Sequence, residues 1–275
     1  MAAGERLDRP ADSPWKHASK EWFFVDTRDN SGEFNMKFDL SLADEFRITG
    51  IPMLRLYGWR PYCISLGRNQ NESDIDVEHA RRDGIDIVKR PTGGKAVLHA
   101  EELTYSVVMQ TDGLSVRETY NRISSALVVG LRKLGAELDL SQSSADFQKL
   151  FRDPRAIPCF STSAVFEVEH KGKKLVGSAQ HRFGHTLLQH GSILTGGFHK
   201  RIVQYLNVDE AVREKTTADL ESHTVTLGEI LGFAADRKDL VAALKDGFSE
   251  TFGAVFSGTS FPVRNDFEAN TIREN

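Results

Sequence analysis

The chain has 275 residues, 40% of them hydrophobic and 27% charged, with a net charge of −4. That supplies a substantial core, no apolar run approaches the roughly 20 residues of a bilayer span, and no basic stripe marks a nucleic-acid binder. The first residues carry Pro10 and Pro14 but no apolar secretory signal, and two distant cysteines, Cys63 and Cys159, make no disulfide framework, so residence in the cytoplasm is expected.

Residues 1–20 read as a flexible leader, 21–260 as one catalytic-sized domain and 261–275 as a polar tail. A first strand is predicted over 22–26. Asn35 then caps a helix whose Met36, Leu40, Ala43 and Phe46 share a face, ending before Gly50. Residues 52–57 and 64–66 read as strands, and 74–82 as a short helix stopped by Gly84.

Residues 89–99 (KRPTGGKAVLH) lie between two apolar runs, Ile85, Ile87, Val88 and then Ala96, Val97, Leu98, which predicts strand, turn and strand. Gly93 and Gly94 permit positive φ and a close approach of backbone to a ligand. Arg90 and Lys95 flank them with positive charge suited to a phosphate, a carboxylate or a polarised carbonyl. A tight hairpin with solvated cations is the alternative.

A strand follows over 103–109. Tyr120, Ile123, Leu127, Leu131 and Leu134 then recur at helical spacing, closed by Gly135. Residues 164–170 and 175–179 form a hairpin around Lys171, Gly172 and Lys173, and 187–194 adds a strand. Helical pattern resumes at 201–206 and at 226–231, where Thr226 and Glu229 have capping-box spacing. A last helix carries Leu240, Leu244, Phe248 and Phe252 and stops at Gly253. Strands and helices do not alternate regularly, so the fold class is α+β, a mixed and largely antiparallel sheet flanked by helices, rather than a doubly wound parallel sheet.

Cys159 sits at a loop-to-strand junction, where a thiolate with a cation nearby accepts acyl groups; a small buried hydrophobe is the other reading. Cys63, in an apolar strand, takes the core reading. Lys174 opens a strand of small residues and can hold a carbonyl oxygen or anion, unless it is a solvated hairpin lysine. Hairpin pairing puts Lys174 opposite residue 169, about ten residues or roughly 30 Å of extended chain from Cys159. Contact between the two does not follow from spacing. Arg68, after a strand end, reaches toward the same mouth or stays on the surface. His99, His181, His185 and His190 lack metal-ligand spacing, so no metal is expected. Glu101 and Glu102 read as solvated loop charges.

Three segments in order, KRPTGGKAVLHAEELTYSVV, KKLVGSAQ and LQHGSIL, resemble the lipoate and biotin protein ligase superfamily, joined by FNMKFDLSLAD and LGRNQN. The resemblance spans about 22–206. It implies a groove for a medium-chain acyl group beside the glycine loop, and acyl transfer to or from the lysine of a lipoyl carrier domain. It assigns Arg90, Thr92, Gly93, Gly94 and His99 to the binding loop and Lys174 to the lysine before GSAQ. Gly177, Ser178 and Ala179 would line the acyl pocket, and Arg68, Gln180, His190 and Gly191 would complete the substrate-binding set.

Cys159, followed by Phe160, matches the acyl-accepting cysteine of octanoyltransferases that look like ligases, and the Asn-Asp pair of adenylate-forming ligases is missing. Only about seventy residues follow Leu206, too few for the ligases' extra domain. Ser161, Thr162 and Ser163 depart from the segment usual after that cysteine, and Arg68-Asn69 is ligase-like. The expectation is an octanoyltransferase working through a Cys159 acyl-enzyme. Its donor would be an acyl-carrier protein, and its acceptor a lipoyl domain such as the glycine-cleavage H protein or a 2-oxoacid dehydrogenase E2. No cofactor, metal, nucleic acid or membrane is implied. An ATP-dependent lipoate ligase, octanoyl transfer between lipoyl domains, and a non-catalytic carrier-domain or lipid-binding protein stay open as alternatives.

Overall fold

The chain opens with a parallel β–α–β unit, strand β1 (Glu21–Asn30), helix α1 (Gly32–Thr49) and strand β2 (Met53–Trp59). The computed structural model describes residues 20–111, 113–140 and 168–256. The leader expected over 1–20 (Lys20 apart) and the tail expected over 261–275 lie outside them.

Ser31 caps α1, its side chain accepting from the Phe34 N–H, so the helix begins a turn before the predicted Asn35. Asn35 is instead buried inside the helix and donates to the Gly58 carbonyl. The buried stripe is Met36, Phe38, Asp39, Leu42, Ala43 and Phe46, whereas Leu40 is 39% exposed.

After β2 come β3 (Cys63–Leu66), a 3-10 turn (Glu72–Asp74), α2 (Val77–Arg82), β4 (Asp86–Lys89), β5 (Val97–His99) and β6 (Glu102–Gln110). Strands β4 and β5, predicted as the arms of one turn, do not pair with each other. Both pair with β3, β4 in parallel and β5 antiparallel, in the order β4-β3-β5. The glycine loop therefore straddles a strand instead of closing a hairpin.

Helix α3 (Val116–Arg132) starts at a Ser115–Glu118 capping box and buries Ile123, Leu127 and Leu131. Then follow β7 (Asp139–Leu140), β8 (Val168–His170), β9 (Lys173–Phe183) and β10 (Thr186–Leu194). The predicted hairpin is present: Lys171 and Gly172 both have positive φ, as a type I′ turn requires, and Glu169 pairs with Lys174. The part of its first strand expected over 164–167 lies outside the described residues.

A 3-10 segment (Phe198–Tyr205) leads to α4 (Glu210–His223), α5 (Leu227–Leu231), α6 (Arg237–Phe252) and β11 (Val255–Phe256). Helix α4 has no counterpart in the sequence prediction because it buries only Thr216 and Leu220 and has no apolar stripe to read. The Thr226–Glu229 capping box starts α5, and Gly253 ends α6 in the left-handed conformation.

The large sheet runs β11-β1-β2-β6-β10-β9-β8-β7 and is antiparallel from β2 onward. Helices α3 and α6 cover one face over Leu54, Leu56, Tyr105 and Val107. Helix α1 covers part of the other over Met53, Val108 and Leu188. None of the described helices is long and apolar enough to cross a membrane.

Candidate active site

Sheet register lays two rows of side chains across β2, β6, β10 and β9. One is Arg55, Ser106, His190, Ala179; the next is Tyr57, Thr104, Ser192, Gly177. Alternation puts both rows on the α1 face. A cleft opens there against the small sheet, lined by Met36, Trp59, Val97, His99, Gly177 and Ala179 among others. Its volume is about 30 Å³, space for two or three water molecules.

The glycine loop forms one wall. Arg90 is buried, and its N–H groups go to the Gly93 carbonyl, the Lys95 carbonyl, and the carbonyl and hydroxyl of Ser65. All five guanidinium donors have protein partners. Arg90 shapes the loop, where the sequence suggested a cation offered to a ligand. Gly94, at φ +100°, supplies the loop's left-handed residue, and a Cβ on Gly67 would lie 1.9 Å from its carbonyl oxygen.

Two chains of hydroxyl, imidazole and carboxylate run behind the wall. In the first, Thr92 Oγ1 is 2.7 Å from His190 Nε2, and His190 Nδ1 is 3.0 Å from Asp39 Oδ2. Asp39 also accepts from Tyr57 on Oδ2, and from Arg55 and Ser106 on Oδ1. Burial lowers the His190 pKa and leaves the ring neutral. Its Nδ1–H therefore donates to Asp39, and Nε2 accepts from Thr92. Burial works to raise the Asp39 carboxyl, but the Arg55 charge and the His190 hydrogen bond outweigh it and hold the carboxyl below its ordinary range.

In the second chain, Ser65 Oγ is 2.7 Å from His99 Nε2, and His99 Nδ1 is 2.9 Å from Glu102 Oε1. The His99 ring stacks on Trp59 with centroids 4.0 Å apart. The Glu102 side chain is only 1% exposed, so it is not the solvated loop charge that the sequence suggested. Its Oε1 also accepts from Thr104 and Ser192. Neither carboxylate stood out in the sequence. A lone acid inside a buried helical stripe, and one opening an apolar strand, were the available signals.

The GSAQ segment divides between the faces of β9. Gly177 and Ala179 face the cleft. Ser178 borders it, yet its hydroxyl lies 2.7 Å from Tyr105 Oη, and Gln189 donates to the same phenol. Gln180 bonds to Gln189 and is not among the lining residues, while Gly191 approaches Gly177 from β10. Lys174 is buried three residues before Gly177, its carbonyl accepting from the Val225 N–H. Arg68 is exposed, with its guanidinium 3.4 Å from the His181 ring. Cys159 lies outside the described residues. Among those residues no cluster of three or more His, Cys, Asp or Glu side chains could hold a metal.

A family model described as the lipoyl protein ligase A/B catalytic domain matches residues 31–249. The chain belongs to this family. It is 38% identical over 240 residues to the octanoyltransferase LipM of Kyrpidia tusciae, covering 85% of this chain and 88% of that protein. It is 33% identical to LipM of Bacillus subtilis, covering 82% and 84%. Among solved structures, one described as a bipartite lipoate protein ligase and its E2 lipoyl domain from Thermoplasma acidophilum superposes with a TM-score of 0.74 at 21% identity, covering 90% of this chain and 89% of that one. That similarity confirms the α+β fold expected for this lipoyl-ligase-family chain.

Proposed function

We propose that this chain is an octanoyltransferase of protein lipoylation, passing an octanoyl group through Cys159 to the lysine of a lipoyl domain. The observation that carries the reading is similarity to octanoyltransferases over most of the chain, at 31–38% identity. A slender cleft lined by Gly177, Ala179, Met36 and Val97 supports it, since glycine and alanine leave a methylene chain room to lie against the sheet.

In this reading the Cys159 thiolate attacks the thioester of an octanoyl-acyl-carrier protein. A C–S bond forms to Cys159, and the carrier thiol leaves. The lysine amine then forms the amide and releases the Cys159 sulfur. Lys174 polarises the carbonyl, and backbone N–H groups at 177–179 hold the oxyanion.

The test is intact mass of an apo lipoyl domain after incubation with octanoyl-acyl-carrier protein, or with lipoate and ATP. Octanoylation without ATP, through an acyl-enzyme that disappears in Cys159→Ala, is expected. Modification by lipoate and ATP alone would overturn the assignment in favour of a ligase, and full activity of Cys159→Ala would overturn the mechanism.

A further inference from the structure

The two imidazole chains beside the cleft differ in one respect. Asp39 has both oxygens committed, Oδ1 to Arg55 and Ser106 and Oδ2 to Tyr57 and His190. Glu102 has three partners crowded on Oε1 and none on Oε2, although that oxygen is buried. A buried carboxylate oxygen without a donor is costly unless it serves a donor that arrives with substrate. The first chain is closed and structural. The second is open.

The second chain also lies nearer the reacting end assigned above. Ser192, which donates to Glu102, pairs with Gly177, and Glu102 pairs with Leu194, toward the Lys174 end of β9. His190 pairs with Ala179, farther from Lys174. Ser65 and His99 both line the cleft. Ser65 accepts an N–H from Arg90, which sends its own proton to His99 Nε2 and puts the His99 proton on Nδ1, toward Glu102. A hydroxyl in the cleft wall, an imidazole bonded to it and a carboxylate orienting the ring make a general-base module.

We infer that His99 is the general base of the amide-forming step, taking the proton of the incoming lysine ammonium through Ser65, with Glu102 as its positioning residue. The inference rests on the octanoyltransferase reading. Lysine Nζ gives one proton to the Ser65–His99 pair and attacks the acyl carbonyl. The C–N bond forms, the C–S bond to Cys159 breaks, and the sulfur takes the second amine proton. The imidazolium then releases its proton to water.

The experiment preloads the full chain with octanoyl from octanoyl-acyl-carrier protein and follows discharge by intact mass to two nucleophiles. One is the lysine of an apo lipoyl domain; the other is hydroxylamine, already neutral at pH 7. In His99→Gln, Glu102→Gln and Ser65→Ala the ratio of lysine to hydroxylamine discharge should fall about 10²–10⁴-fold. That ratio cancels effects on loading and on folding, and Ser65→Ala, the smallest change, guards against a misfolded histidine variant. An unchanged ratio in all three variants, or equal slowing with both nucleophiles, overturns the assignment. A wild-type chain that forms no acyl-enzyme instead overturns the octanoyltransferase reading, and this inference with it.

Discussion

Asp39 and Arg55 are both fully buried and 2.7 Å apart, and the guanidinium lies over the Tyr57 ring at 3.8 Å. Breaking such a pair from one side leaves an uncompensated charge. Asp39→Asn should therefore lower unfolding free energy by about 3–5 kcal/mol in urea titrations. The pH response follows from the same residues. Burial lowers the pKa values of His190 and His199, so the unfolded chain takes up protons before the folded one. Stability should fall as pH drops below about 6.5, by up to about 1.4 kcal/mol per pH unit for each ring. His190→Gln should flatten that slope by one proton. The depressed Asp39 carboxyl adds a further loss only as pH falls below about 3.9, the ordinary carboxylate value. These residues were hard to see in the sequence because a buried charge is recognisable only by partners that lie far away in the chain. Arg55 and Asp39 are on different elements, and His190 is further still.

Elements were more legible than partners, because caps and stripes are local. The Thr226–Glu229 box and the stripe of α3 needed no tertiary information, whereas Ser31 outcompeted Asn35 because Arg55, from β2, claims the Asn35 side-chain oxygen that a cap would use. How elements approach one another is set by positions with no side chain. A Cβ on Gly247 would fall 2.2 Å from the Ala126 carbonyl oxygen, and one on Gly130 would fall 2.5 Å from that of Ala243. Helices α3 and α6 thus meet backbone to backbone. Gly247→Ala should push them apart at a cost of about 1–3 kcal/mol, visible as a lower Tm. At the glycine loop, Gly67→Ala should displace the Gly94 carbonyl. A shift of about 1 Å there should cost on the order of 10² in kcat/KM while octanoyl transfer stays measurable.

At the scale of the whole molecule, the fold class was readable from the irregular order of strands and helices, but the joining of the sheets was not. Nothing in 85–99 says that β3 will slip between β4 and β5, since pairing partners of similar apolar character are interchangeable to a reader of sequence. That insertion has a mechanical outcome. With both ends of the glycine loop sewn to one strand and Arg90 stitching its middle, the loop cannot lift as a flap. The cleft lies between that three-stranded panel and the broad sheet, so any yielding to an eight-carbon tail falls to the panel as one piece. Amide hydrogen exchange along 63–66 and 97–99 should then quicken or slow together on acyl loading, whereas a change confined to 90–95 would reveal a hinged cover.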